Sequence, residues 1–173
     1  MKKLWIILFV ALLLCGCGKG NAVETVSDIP TEPVMAMVQN IRVNLPPELS
    51  TPALQSQEGG KLYLCDDYSV MVQTLQAGDL SQTIRTITGM DKEKLQIQTT
   101  HQGSNKCYQF TWATTGEQGA RVGRACILDD GAYHYVLTAL AEEAVAEQVQ
   151  QTWKEMFASF CLAPEKEPIS TGS

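Results

Sequence analysis

The sequence is poor in the groups that most often carry out catalysis. It contains two histidines, and it lacks a P-loop, a Gly-x-Ser-x-Gly or His-Glu-x-x-His motif and a dinucleotide-binding fingerprint. Neither His101 nor His134 has an acidic or cysteine partner fixed by local spacing, which a metal ligand or general base requires. We therefore predict no catalytic, cofactor-binding or metal-binding residue in this chain.

A run of apolar residues long enough to cross a membrane is also missing. A membrane-spanning helix needs roughly 20 such residues, whereas the run Leu4–Leu14 contains 11. Lys2 and Lys3 precede this run, and a basic start followed by a short apolar segment is typical of a secretory signal peptide. The sequence therefore predicts an exported chain.

The residues that follow the apolar run indicate how the signal is processed. Leu14-Cys15-Gly16-Cys17 resembles a bacterial lipobox, in which a cysteine after a small residue is lipidated and becomes the mature N-terminus. Gly16 fits the small position, whereas a cut before Cys15 would place the bulky Leu14 there. We predict a signal peptide over residues 1–16 and lipidation, as by palmitate, at Cys17. The alternative is an ordinary cleaved signal peptide with an incidental cysteine.

Basic charge is scarce in the mature chain. Without Lys2 and Lys3, the 13 basic residues become 11, against 19 acidic ones, which gives a formal charge of −8. Such a chain repels phosphate backbones and anionic lipid headgroups, so we predict no nucleic-acid partner. Membrane attachment would come from acyl chains at Cys17, at about 0.8 kcal/mol per buried methylene, on the extracytoplasmic face of a bacterial cell membrane.

The remaining sequence predicts one domain. Residues 17–37 show little periodicity and are interpreted as a flexible tether, and residues 163–173 are polar, contain proline and are predicted to be disordered. Residues 38–162 are enough for a single core that buries about two-thirds of its unfolded surface.

Alternation and turn residues within this domain predict seven strands and two helices. Short connections between the strands favour antiparallel neighbours. Asp66-Asp67 and Asp129-Asp130-Gly131 are interpreted as turns rather than calcium ligands, because neither has the spacing of a calcium loop. The predicted order is β-β-β-α-β-β-β-β-α, with strands at 41–45, 61–65, 68–75, 95–100, 106–114, 120–128 and 133–138, a helix between Asp79 and Gly89, and a helix from Ala141.

The last helix has a pronounced apolar face. Its apolar residues recur at spacings of three and four, which predicts that the helix packs against a sheet. These residues are Val145, Val149, Trp153, Met156, Phe157 and Phe160.

The pattern of aromatic and turn residues resembles the PsbP-like fold. A Tyr-x-Phe-x-Trp strand, a glycine-bounded turn, an Asp-Gly turn, a tyrosine-rich strand and a helix ending Trp-x-x-x-Phe-x-Ser-Phe occur in that order. The group includes plant photosystem subunits, a yeast Ran-binding protein, the enterobacterial lipoprotein DcrB and other lipoproteins. The resemblance implies an α+β fold, with an antiparallel sheet of six to seven strands and helices on both faces, and it implies no shared catalytic motif. It is carried by Tyr108, Phe110, Trp112, Gly116, Gly119, Asp130, Gly131, Tyr133, Tyr135, Trp153, Phe157, Ser159 and Phe160.

Four cysteines remain after processing, and in an exported chain they permit disulfides. Cys107 and Cys126 lie on adjacent arms of one predicted hairpin and could approach bonding distance, in which case Cys65 would pair with Cys161. The alternative is four free thiols buried as small hydrophobic groups. No Cys-x-x-Cys occurs in the mature chain, which argues against a thioredoxin-like centre and a structural zinc site.

The function predicted from the sequence is that of a lipid-anchored, non-catalytic accessory or binding protein of the cell envelope. Its partner would be another envelope protein or a small ligand. The alternatives are an envelope hydrolase whose site is assembled only by the fold, and a thiol/disulfide redox protein that uses the four cysteines.

Overall fold

A computed structural model describes residues 37–116 and 119–163. The predicted signal peptide, Cys17, most of the tether and the tail after residue 163 lie outside these residues. The secondary-structure elements are β1 (Ile41–Arg42), β2 (Leu54–Gln55), β3 (Lys61–Leu64), β4 (Tyr68–Gln76), α1 (Leu80–Thr88), β5 (Gln98–Gln102), β6 (Asn105–Gly116), β7 (Gly119–Asp129), β8 (Tyr133–Glu142), α2 (Ala146–Ser159) and β9 (Cys161–Leu162), with 3-10 turns at Pro47–Leu49, Lys92–Lys94 and Glu143–Val145.

Seven strands form one antiparallel sheet in the order β2-β3-β4-β8-β7-β6-β5. The long strands β4, β8, β7 and β6 lie at its centre, and each pair is antiparallel. A separate ribbon joins β1 to β9, with Ile41 opposite Leu162. The predicted α+β class and the sheet of six to seven strands are confirmed.

Each face of the sheet carries one helix and its own core. On the first face, α2 packs through Trp153, Met156 and Phe157 against residues that include Tyr68 and Leu137. On the second face, Ile84 of α1 belongs to a core with Phe110, Trp112, Ala125, Ile127 and Val136. Because both faces are covered, the central strands are apolar on both sides, and the expected helix on each face is confirmed.

The start and end of α1 follow the predicted capping residues. The Asp79 carboxylate accepts a hydrogen bond from the Ser81 amide at 3.0 Å, and Gly89 adopts a left-handed conformation with φ of 72° at the C-terminal end. The hairpin at Asp66-Asp67 is also present, with Leu64 opposite Ser69.

Several predicted boundaries are wrong. Strand β8 continues to Glu142 because it is paired on both edges, to β4 and to β7, so α2 begins at Ala146 and not at Ala141. The predicted strand at 41–45 is reduced to the two residues of β1, which lie outside the main sheet. The predicted strand at 95–100 shifts to Gln98–Gln102, and the predicted loop at 46–60 contains β2.

Candidate functional site

The structure brings together one of the two predicted cysteine pairs. Cys107 on β6 and Cys126 on β7 face the same core, and their Sγ atoms lie 3.5 Å apart. Cys65 lies in the turn between β3 and β4, where its thiol donates to the Tyr68 carbonyl at 3.3 Å. Cys161 lies in the β1–β9 ribbon, opposite Arg42. All four are free thiols in this structure, so a disulfide at either pair stays a prediction.

The two neighbouring thiols have different environments. Cys107 lies opposite Leu128 and Gln109 lies opposite Cys126, so the cysteines are diagonal neighbours and not a directly opposed pair. The hydrogen bond from Cys126 lowers the pKa of the Cys107 thiol to about 6, although burial acts in the other direction. The same hydrogen bond and burial raise the pKa of Cys126 well above its usual value. Cys107 is therefore the thiol of this pair that loses its proton first.

An open groove of about 770 Å³ lies beside the segment that enters the domain. The residues that line it include 38–45, Lys61, Tyr63 and Tyr133. Arg42 and Lys61 are both exposed cations. The groove is a concave surface that could receive a partner or ligand beside the entry segment.

The entry segment is held by a half-buried carboxylate that the sequence identified only as a turn residue. The Asp130 carboxylate accepts hydrogen bonds from the Ala132 and Tyr133 amides at 2.9 and 2.7 Å, which is the predicted turn. It also accepts one from the Tyr135 hydroxyl at 2.8 Å and one from the Gln39 side chain at 3.0 Å. Burial alone would raise the pKa of Asp130, but these hydrogen bonds lower it below its usual value. No local pattern could have found Gln39, because the two residues are 91 positions apart.

His134 is the predicted histidine that the fold brings beside a hydroxyl group and a carboxylate. Its Nδ1 atom lies 2.8 Å from the Thr83 hydroxyl on α1, and its Nε2 atom lies 3.9 Å from the Asp129 carboxylate. A hydrolase triad contains the same three groups but places the hydroxyl on Nε2 and the carboxylate on Nδ1, the reverse of the order here, and His134 is only 2% exposed and Thr83 only 6%. Since no substrate reaches groups buried to this extent, the contacts serve to hold α1 on the sheet. His101, predicted in a loop, lies exposed on β5.

Stability is expected to decrease as the pH falls below about 6.5, the usual pKa of histidine. Burial lowers the pKa of His134, and the opposing attraction of Asp129 and Asp130 is weaker. The folded state therefore holds the neutral His134 ring. The contribution of this ring to the free energy of unfolding is complete above pH 6.5 and is lost as the pH falls through the lowered pKa of His134. For one proton the slope is at most about 1.4 kcal/mol per pH unit.

Urea unfolding of the His134→Gln variant at pH 7.5 and 5.5 should show a smaller pH dependence than the original chain. The exposed control His101→Gln should keep it, and equal slopes in all three proteins would contradict this account.

The two arginines of β7, Arg121 and Arg124, have separate surroundings. The Arg124 guanidinium lies 4.7 Å from the centre of the Phe157 ring, a cation–π contact between β7 and α2. Arg121 lies opposite Glu142 on β8. Among residues 37–116 and 119–163, no group of three or more potential ligands could hold a metal ion. No helix within the same residues is long and apolar enough to span a bilayer.

The architecture and the candidate site together define an α+β domain whose sheet is covered on both faces. No protein-family model matches the sequence. No curated protein matches it either.

Three solved structures to which the chain is similar illustrate the fold. LpqN, involved in cell envelope biogenesis of Mycobacterium tuberculosis, shares 13% identity at a TM-score of 0.49, over 73% of this chain and 85% of LpqN. Cyanobacterial PsbP from Synechocystis shares 9% identity at 0.49, over 85% of this chain and 99% of PsbP. The Saccharomyces cerevisiae Ran-binding protein Mog1p shares 15% identity at 0.45, over 72% and 96%.

The similar structures include members of the group that the sequence resemblance names. PsbP and Mog1p are the cyanobacterial and yeast examples. Because the TM-scores lie below 0.5, we take the architecture from the strand order and helix packing of this chain, and we transfer no function from these proteins.

Proposed function

We propose that this protein is a bacterial lipoprotein, anchored by acyl groups at Cys17, whose α+β domain is a non-catalytic accessory or binding module of the cell envelope. The observation that carries the proposal is the order of the residues after Met1: two lysines, 11 apolar residues, then Cys15, Gly16 and Cys17. The domain would then lie on the extracytoplasmic face, joined to the bilayer by a tether of about 20 residues that spans roughly 25 Å as a flexible coil.

Binding, rather than catalysis, is the role that the described residues support. In the arrangement most like a catalytic site, Thr83-His134-Asp129, the hydroxyl and the imidazole are both buried between α1 and the sheet. By contrast, the groove beside residues 38–45 is open to solvent and lies where the chain leaves the tether. We assign this groove as the surface for an envelope protein or a small ligand.

The anchor is tested by replacing the two N-terminal cysteines separately. Cells that express the chain are labelled with an alkyne-bearing fatty acid, and the protein is then partitioned between detergent and water. Cys17→Ser is expected to abolish labelling and to move the protein out of the detergent phase. Cys15→Ser, two residues away, is the matched control and should remain labelled, because lipidation needs the cysteine after Gly16. Labelling that depends on Cys15, or no labelling of the original chain, would contradict the proposal.

A further inference from the structure

The Cys107–Cys126 pair combines features that the two other described cysteines lack. The two Sγ atoms are in contact at 3.5 Å, and the side chains are only 5% and 3% exposed. A disulfide bond requires about 2.05 Å, so closure needs the sulfurs to approach by about 1.5 Å. Diagonal neighbours of an antiparallel pair lie about 7–8 Å apart, beyond the usual Cα spacing of a disulfide, so closure needs side-chain rotation together with a shift of β6 and β7 toward each other.

The surroundings of the pair give the two sulfurs different roles. The Gln109 side-chain amide donates to Cys107 Sγ at 3.7 Å, and Thr100 on β5 lies directly opposite Cys107. Together with the Cys126 thiol, these donors stabilise a thiolate on Cys107. Cys126 lies deeper, in the strand between β6 and β8, among residues that pack against α2. It is suited to act second, as a thiol that attacks a modified Cys107.

The position in the sheet favours a small oxidant. Cys107 is one strand in from the sheet edge, and the edge strand β5 is exposed along all five of its residues. Displacement of β5 alone would give a small molecule access to Cys107 Sγ while β6, β7 and β8 stay paired. A protein disulfide could not reach the sulfur by this route.

We propose that Cys107 and Cys126 form a redox-active dithiol that hydroperoxides convert to a disulfide, with Cys107 as the attacking sulfur and Cys126 as the resolving one. This inference goes beyond the binding role and does not depend on the anchor.

In the first step, the Cys107 thiolate attacks one peroxide oxygen, the O–O bond breaks, and the leaving hydroxide takes up a proton as water, which gives a sulfenic acid. In the second step, the Cys126 sulfur attacks Cys107 Sγ and the S–O bond breaks. The hydroxide that leaves takes the Cys126 proton as a second water. Two thiols are oxidised and one hydrogen peroxide is reduced to two waters.

Peptide mapping of the mature protein tests this assignment. The purified, detergent-solubilised protein is treated with hydrogen peroxide, its remaining thiols are blocked with N-ethylmaleimide, and it is digested with trypsin. The expected product is the peptide Cys107–Arg121 linked to Ala125–Lys154, with Cys65 and Cys161 recovered as maleimide adducts. A linked Cys65–Cys161 product, or four blocked thiols after peroxide treatment, would overturn the proposal.

The roles of the two sulfurs are separated by single replacements in the presence of dimedone, which traps sulfenic acids. Cys126→Ser should accumulate a dimedone adduct at Cys107, whereas Cys107→Ser should give roughly tenfold less adduct at Cys126, because the thiolate and not the thiol attacks peroxide. Cys65→Ser and Cys161→Ser are the controls and should form the Cys107–Cys126 crosslink as the original protein does. Equal labelling of both single variants would show that Cys107 does not attack peroxide in preference to Cys126. If either core variant fails to fold, the peptide map of the original protein still decides whether the pair closes.

Discussion

Replacing Gly123 with valine is expected to destabilise the domain strongly. Gly123 on β7 lies directly opposite Trp112 on β6, and the indole ring covers the glycine. A Cβ atom at position 123 would lie 2.6 Å from Cη2 of Trp112 and closer still to Cζ2 and Cε2. The ring cannot move aside cheaply, because Trp112 is 8% exposed and packs in the second core with its centre 6.0 Å from that of Phe110. Overpacking of this kind costs about 1–3 kcal/mol, and we expect a loss of about 3 kcal/mol for Gly123→Val.

The measurement is the free energy of unfolding from urea titrations, with a second glycine as control. A Cβ atom at Gly78 would meet no atom within 4 Å, so Gly78→Ala should change stability by less than about 0.5 kcal/mol. The double replacement Trp112→Leu with Gly123→Ala should cost less than the sum of the two single changes, because the smaller side chain leaves room for the new methyl group. Equal effects of Gly123→Ala and Gly78→Ala would show that the indole does not lie on the glycine.

Removing the Trp153 side chain is expected to weaken the packing of α2 on the sheet. Trp153 is 6% exposed, and its ring meets Tyr68 of β4 edge to face with the ring centres 6.3 Å apart. It is the central aromatic residue of the helix face that closes the first core. Truncation of a buried tryptophan to alanine costs about 3–5 kcal/mol, and we expect Trp153→Ala to fall in this range by urea unfolding.

A conservative replacement at the same position separates packing from hydrogen bonding. The indole Nε1 atom of Trp153 is buried and has no hydrogen-bond partner among the described residues. Trp153→Phe therefore removes no hydrogen bond and should cost clearly less than Trp153→Ala, because the smaller ring keeps much of the buried apolar area and leaves a smaller cavity. Gln150→Ala, on the exposed side of α2, is the neutral control. A phenylalanine variant as unstable as the alanine variant would show that the indole N–H contributes a bond of its own.

The sequence predicted the structure correctly where the regular spacing of apolar residues corresponds to the buried face of an element. The spacing of Trp153, Met156 and Phe157 correctly placed these residues in the core, and Asp79 and Gly89 correctly marked the ends of α1. Local patterns failed where pairing with two strands from distant parts of the chain determines the secondary structure. Residues 139–142, which also suit a helix, are held in β8 by β4 and β7 on either side.

The features of the candidate site that involve long-range contacts could be predicted only in part. The adjacency of Cys107 and Cys126 follows from a hairpin with a short turn, so the sequence could place them near each other, but not on a diagonal. The contact of Asp130 with Gln39 and the burial of His134 against Thr83 depend on how α1 and the entry segment pack on the sheet. No spacing within the sequence encodes either of them.

The β1–β9 ribbon has a consequence for the connectivity of the domain. Ile41 is paired with Leu162, and the Ala163 amide donates to the Asn40 carbonyl at 2.8 Å, so the two ends of the described chain meet side by side. The path of the described chain therefore returns almost to the point where it starts. A circular permutant that joins these ends and opens the chain at the tight turn of Gly103 would interrupt no strand of the seven-stranded sheet.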